Sequence, residues 1–143
     1  MTLQDSFVDD LLNVPVGHIE AFLKQKLKGE VQLQVVEQNR ISGTNFVRKI
    51  VITVNNLPVI CATVSFDSSN LSEPILSELL RKNEGIGSIL TQNKISVQRN
   101  VILLESAIGT IKRNYEIINN NTVLFHVSEE MLLANLLANK NSR

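Results

Sequence analysis

The sequence is poor in the residues that most often announce chemistry. Its 143 residues include one cysteine, one tyrosine, two histidines and no tryptophan. A single cysteine has no internal disulfide partner. Cys61 also lies in the apolar stretch Pro58-Val59-Ile60-Cys61-Ala62, where a thiol reads as a small buried hydrophobe rather than a nucleophile. His18 and His126 are far apart and lack metal-ligand spacing, so no metal site is expected. Aromatic residues make up 4% of the chain, too few to build stacking platforms for bases. Neither sign of charge is in excess: 14 Lys+Arg balance 14 Asp+Glu, leaving no bulk positive field to collect phosphates or anionic lipid. Nucleic acid and membrane surfaces are therefore not expected partners.

Long hydrophobic runs are missing too. No stretch approaches the ~18 uncharged apolar residues of a membrane span. The N-terminal segment Met1-Thr2-Leu3-Gln4-Asp5-Ser6-Phe7-Val8-Asp9-Asp10 is acidic and has no basic region followed by an apolar run, which argues against a secretory signal. A cytoplasmic location is the resulting expectation. No phosphate loop, nucleophile elbow or dinucleotide fingerprint occurs, and Gly85-Ile86-Gly87 reads first as a turn.

What is present is a patterned core. Hydrophobic residues form 43% of the chain, and no linker or repeat divides it, so residues 1–143 are expected to form one domain. Ile19, Phe22, Leu23 and Leu27 predict a short amphipathic helix over 18–27, ended near Gly29. Residues 30–38 alternate polar and apolar, as a half-buried strand does. Residues 45–54 and 58–66 are β-branched-rich strands, joined at Asn55-Asn56-Leu57-Pro58 by a tight hairpin. Ser72 as N-cap, Pro74 and the stripe Ile75, Leu76, Leu79, Leu80 predict a central helix, with a shorter one after Gly85. Strands are expected again at 96–107, 111–118 and 122–128, with Asn119-Asn120-Asn121 at a hairpin tip. A last helix is expected from Ser128, carrying Met131, Leu132, Leu133, Leu136 and Leu137. The expected fold class is α+β: a six-stranded antiparallel sheet with helices covering one face.

Strand parity adds a chemical signal. Arg48 shares a face with Phe46, Ile50, Ile52 and Val54; Arg99 with Val97, Val101 and Leu103; Arg113 with Ile111, Tyr115 and Ile117. By the same parity Glu105 joins Arg99, and Glu129 joins Val123, Phe125 and Val127. A guanidinium among aliphatics must be paired or hold an anion, and its planar fork suits a carboxylate. A small organic acid is one reading. Ion pairs at strand ends, with buried stems and hydrated heads, are the other.

The order of these segments resembles the chorismate lyase (chorismate–pyruvate lyase) family. The resemblance rests on Val47-Arg48-Lys49-Ile50-Val51-Ile52, then the Asn55-Asn56-Leu57-Pro58 hairpin, then Ala62-Thr63-Val64. Gly85-Ile86-Gly87-Ser88-Ile89-Leu90, Ile95-Ser96-Val97-Gln98-Arg99 and Val16-Gly17-His18-Ile19 are similar to further family segments, over about residues 14–131. The resemblance implies a buried site under helical flaps that converts chorismate to 4-hydroxybenzoate and pyruvate without a cofactor. It implies that Arg48 holds the ring carboxylate, that the backbone at Ile86 lines the site, and that His18 stands where many members have Met. Arg99 or Arg113 would assist the enolpyruvyl carboxylate. Glu129, in Val127-Ser128-Glu129, matches the family's essential glutamate if the Asn119-Asn120-Asn121 tip carries two extra residues; an ungapped alignment places Val127 there instead. With Ser128 as N-cap, Glu129 and Glu130 could equally complement a helix dipole. The effector-binding domain of GntR-type regulators has a similar fold, so a non-catalytic domain binding a small aromatic acid is the alternative.

Overall fold

Two asparagine pairs set the topology. Asn55 and Asn56 have φ of 51° and 69°, and Asn120 and Asn121 have 48° and 68°. This left-handed pair is what a two-residue type I′ hairpin requires, and asparagine tolerates it better than other side-chain-bearing residues. The structure, a computed structural model, describes residues 6–139. Residues 1–5 and 140–143 of the expected domain lie outside the described residues.

Six strands form one antiparallel sheet: β1 (Val31–Ser42), β2 (Asn45–Val54), β3 (Leu57–Asp67), β4 (Gln98–Ala107), β5 (Thr110–Asn119) and β6 (Thr122–Leu132). Their order is β1-β2-β3-β6-β5-β4, so two three-strand meanders meet along β3 and β6. Helices α1 (Ser6–Leu12), α2 (Ile19–Lys26), α3 (Glu73–Leu80), α4 (Ile86–Gln92) and α5 (Leu133–Ala138) accompany the sheet. The expected α+β class and six-stranded antiparallel sheet are what the chain adopts.

The apolar face is covered in two halves. Phe7, Leu11, Leu23, Leu27 and Leu136 pack with Val54, Ile60 and Met131. Ile75, Leu79, Ile89 and Leu90 pack with Val64, Phe66, Ile117 and Phe125. The opposite face is polar: the register lines up Glu37, Lys49, Thr63, Ser128 and Asn114 across five strands. That division is what turns strand parity into position inside or outside the protein.

Three expectations need correction. Helix α1 was not expected, yet Phe7, Val8 and Leu11 bury one side of it. The last helix starts at Leu133, not Ser128. Residues 128–132 remain in β6, because Ser128 and Glu129 are paired on both sides, with Thr63 and Ala62 of β3 and with Asn114 and Arg113 of β5. Finally, β4 carries a bulge between Val101 and Leu103. The extra residue reverses the parity of the rest of the strand. Glu105 therefore lies opposite Lys112 on the open face, not beside Arg99.

The hairpin tips give a direct test. Asn121→Val should cost about 1–2 kcal/mol, the penalty of a β-branched residue in left-handed backbone. Asn121→Gly should leave stability nearly unchanged, as read by urea unfolding of the two variants.

Candidate functional site

Each of the three arginines grips the carbonyl end of a helix or the chain just after it. Arg48, on β2 and fully buried, donates from Nη2 to the Leu79 carbonyl (2.9 Å), from Nη1 to the Glu84 carbonyl (2.7 Å) and from Nε to Gln38 Oε1 (2.8 Å). Gln38 Nε2 donates to the same Leu79 carbonyl (3.1 Å). The last carbonyls of a helix have no intrahelical donor and carry partial negative charge, so a buried cation there is favoured. Burial lowers the Arg48 pKa to about 10, which leaves it a cation at neutral pH. On the other half of the sheet, Arg113 Nη1 donates to the Leu12 carbonyl (3.0 Å) and Arg99 Nη1 to the Val14 carbonyl (2.6 Å). These two bonds fasten α1 and the chain after it.

Around Arg113 the structure assembles a polar cluster. Arg113 and Glu129 are register partners on β5 and β6, and Arg113 Nε donates to Glu129 Oε1 at 2.5 Å. Both are nearly excluded from solvent. The Tyr115 hydroxyl, two residues along β5 on the same face, donates to Glu129 Oε2 at 3.2 Å. The guanidinium carbons of Arg99 and Arg113 lie 4.7 Å and 5.0 Å from the centre of the Tyr115 ring, within cation–π range. Burial, reinforced by the charge of Glu129, pushes the Tyr115 phenol far above its ordinary value and keeps it a donor. Two buried donors have no protein partner among the described residues, Arg99 Nε and Arg113 Nη2. Buried guanidinium N–H groups are costly to leave unpaired.

This cluster faces a cavity of about 80 Å³. Its walls are mostly aliphatic, including Ile50, Ile52, Ile60, Ala62, Val64, Ile117 and Val127 from the sheet and Ile86 from α4. Glu20, Ser88, Arg99, Tyr115 and Glu129 supply the polar groups. The cavity is smaller than the ~150 Å³ space that takes up benzene, so a ring-sized ligand has to widen it. The two segments over it, Val16-Gly17 and Gly85 to Ser88, meet glycine to glycine. A Cβ built on Gly87 would lie 2.6 Å from the Gly17 Cα, and Gly17 itself has φ of 91°. Backbone lies on backbone there, flanked by the Thr91 hydroxyl, which a Cβ on Gly17 would also meet.

The structure thus sorts the residues expected from the sequence. Arg99, Glu129 and Ile86 line the cavity. Glu129 is on a strand among buried neighbours, which removes the helix-dipole reading. Arg113 lies behind the cavity wall and reaches it through Glu129. Arg48 is not among the lining residues; its contacts bind the α3–α4 corner. His18 is exposed at the start of α2, in a separate surface depression with Leu90, Thr91 and Lys94. Val127, the other candidate for the glutamate position, is also in the wall. In the sequence Tyr115 stands out only by its strand parity, and nothing marks Gln38 or Glu20 as part of the site. The signal for Tyr115 was its place two residues after Arg113, since alternate residues of a strand share a face. Among the described residues no cluster of His, Cys, Asp or Glu could hold a metal ion.

Glu129→Ala should destabilise the fold by about 3–5 kcal/mol in urea unfolding, because it strands the Arg113 charge. Tyr115 gives a second readout as the only tyrosine in the chain. Its phenol ionises at about 10 when unfolded and higher when folded, so its contribution to stability is complete below pH 10 and declines as pH rises above it. Alkaline titration should show tyrosinate absorbance appearing together with unfolding, not before it.

Comparison with known proteins places the chain near two others. No protein-family model matches. A protein of Methanocaldococcus jannaschii that carries the name "Putative lyase" is 26% identical over 132 residues, spanning 79% of this chain and 71% of that protein. The crystal structure of the ligand-binding domain of a GntR-family transcriptional regulator from Bordetella bronchiseptica superposes with a TM-score of 0.50 at 9% identity, over 76% of this chain and 87% of that one. The second likeness is one of fold.

Proposed function

We propose that the cavity binds a small cyclic or aromatic carboxylic acid and that its reaction is a cofactor-independent, chorismate lyase-like elimination. In this reading residues 1–143 act as a single domain. The observation that carries it is the cavity's make-up: aliphatic walls around Arg99, Tyr115 and Glu129, with the Arg99 Nε–H unpartnered. An apolar pocket with a few convergent polar groups suits a ring bearing an acid group. The lyase name of the distant relative and the ligand-binding fold of the structural neighbour support the same direction.

In chorismate, loss of the C4 proton and cleavage of the C3–O bond aromatise the ring. The products are 4-hydroxybenzoate and enolpyruvate, which takes up a proton and becomes pyruvate. Much of the driving force lies in the substrate, so the protein's tasks are to orient a dianion and exclude water. Arg99, which lines the cavity and whose buried Nε–H has no protein partner, holds a carboxylate. Glu129, fixed at one oxygen by Arg113 and at the other by Tyr115, accepts from the C4 hydroxyl and stands ready to take the C4 proton. Arg48 takes a different part from the one the resemblance implies. It positions the cavity's α4 wall through the Glu84 and Leu79 carbonyls and does not touch the ligand. Ligand enters where Gly17 meets Gly87.

A second reading, a non-catalytic binder of the same acids, is favoured by one fact: both Glu129 oxygens already accept protein hydrogen bonds. Incubation with chorismate separates the two. The enzyme reading predicts 4-hydroxybenzoate and pyruvate in equal amounts. Arg99→Gln should lower kcat/KM about 10–100-fold, the worth of one charge-assisted hydrogen bond. Tight binding of 4-hydroxybenzoate without turnover would leave the binder reading. Neither turnover nor binding would overturn both.

A further inference from the structure

We propose that Glu20 sets which acids the cavity accepts: it admits a hydroxyl or amino group at the α2 end of the cavity and shuts out a second carboxylate there. The proposal rests on the reading of the cavity as a seat for a small cyclic acid held by Arg99. It applies whether or not that acid is turned over.

Glu20 and Arg99 line the same cavity from opposite sides of the sheet. A Cβ built on Gly85 would lie 3.9 Å from Glu20 Oε1 and 2.8 Å from Leu33 Cδ1, so the Glu20 carboxylate stands near Leu33 of β1. Strand β1 is one edge of the sheet, and β4, which carries Arg99, is the other. The cavity therefore runs between two charges of opposite sign, neither of them in an ion pair among the described residues.

The remaining charge in the wall does not alter this balance. Glu129, from β6 in the middle of the sheet, is neutralised by Arg113, and its two oxygens accept from Arg113 and from the Tyr115 hydroxyl. The Glu20 carboxylate, in contrast, has no hydrogen-bond partner among the described residues. Lys24, one turn along α2, does not pair with it. Glu20 lies in the first turn of α2, where a carboxylate suits the helix dipole, yet it bonds none of the N–H groups there. Its acceptor capacity is left for whatever enters the cavity.

A half-buried carboxylate among aliphatic walls is poorly screened, so its charge acts strongly on a neighbour. A ligand hydroxyl or amino group can donate to it in a charge-assisted hydrogen bond. A ligand carboxylate would bring a like charge into the same enclosed space. A site built to bond a donor also rejects the analogue that lacks one, because its acceptor is then left unpaired. The ligand class narrows accordingly to ring acids with a carboxylate toward Arg99 and a hydroxyl or amino group toward Glu20. A dianion such as chorismate fits only with both carboxylates away from Glu20.

Calorimetric titration of the full chain with benzoate, 4-hydroxybenzoate and terephthalate (benzene-1,4-dicarboxylate) tests this. The wild-type protein should bind 4-hydroxybenzoate most tightly and terephthalate least. Glu20→Gln keeps the shape of the side chain and strands no partner. It should raise terephthalate affinity relative to benzoate at least about 10-fold, by removing the like charge. It should lower 4-hydroxybenzoate affinity relative to benzoate, since a neutral acceptor is weaker than a charged one. Ratios to benzoate cancel the general effect of removing one negative charge, so a merely structural role for Glu20 would leave them unchanged. Unchanged ratios, with the benzoates still bound, would overturn the proposal and leave the cavity as a seat for cyclic acids. So would a wild-type chain that binds terephthalate as tightly as 4-hydroxybenzoate. Failure of the wild-type chain to bind any of the acids would overturn that reading of the cavity and the proposal with it.

Discussion

The ion pair between Arg113 and Glu129 is the constraint around which half the molecule is arranged. It joins register partners on β5 and β6 inside the covered face of the sheet. A pair so deeply buried contributes little net stability, since desolvating two charges consumes most of their attraction. Its consequence is orientation. Arg113 fixes one Glu129 oxygen and still reaches back to the Leu12 carbonyl, so the strand pair, the carboxylate and the end of α1 share one guanidinium. Tyr115 holds the other oxygen. Loss of any member leaves a buried charge or donor without its partner.

The same logic extends to the other arginines and gives the zero net charge a different meaning. Arg48 and Arg99, like Arg113, donate to carbonyls at or just after the ends of helices that pack on the sheet. An arginine on an aliphatic strand face therefore docks a helix end as readily as it binds an acid, and the two uses differ in what remains free. Arg48 spends three donor atoms on protein acceptors. Arg99 bonds the Val14 carbonyl and lies against Tyr115, and its buried Nε–H has no partner. A chain with balanced charges can hold a locally cationic seat of this kind, enclosed by aliphatic side chains.

Much of the fold was legible because its signals are local. Asn55-Asn56 and Asn120-Asn121 announce hairpins by their tolerance of left-handed backbone, and period-two alternation marks which strand residues point inward. That alternation correctly turned Arg48, Arg113 and Glu129 toward the covered face. It failed at Glu105, since nothing in the sequence marks the bulge at Ile102. The helix expected from Ser128 failed at residues 128–132, where Ser128 suits an N-cap and leucines follow, but pairing with β3 and β5 makes the segment strand. The division of labour between Arg48 and Arg99 was not legible for a similar reason. Parity shows which way a side chain points, whereas its partners, the Leu79, Glu84 and Val14 carbonyls, come from distant segments. Tyr115 was visible by spacing, but its role depends on Glu129 from the next strand.

In the proposed function Arg99, not Arg48, is the cation that meets the ligand's acid group. The most direct measurement is the set of arginine Nε–H NMR signals during titration with 4-hydroxybenzoate. The expected result is that the Arg99 signal moves as its unpartnered Nε–H gains an acceptor, while the Arg48 signal, already bonded to Gln38, stays in place. Movement of Arg48 with Arg99 unchanged would contradict it.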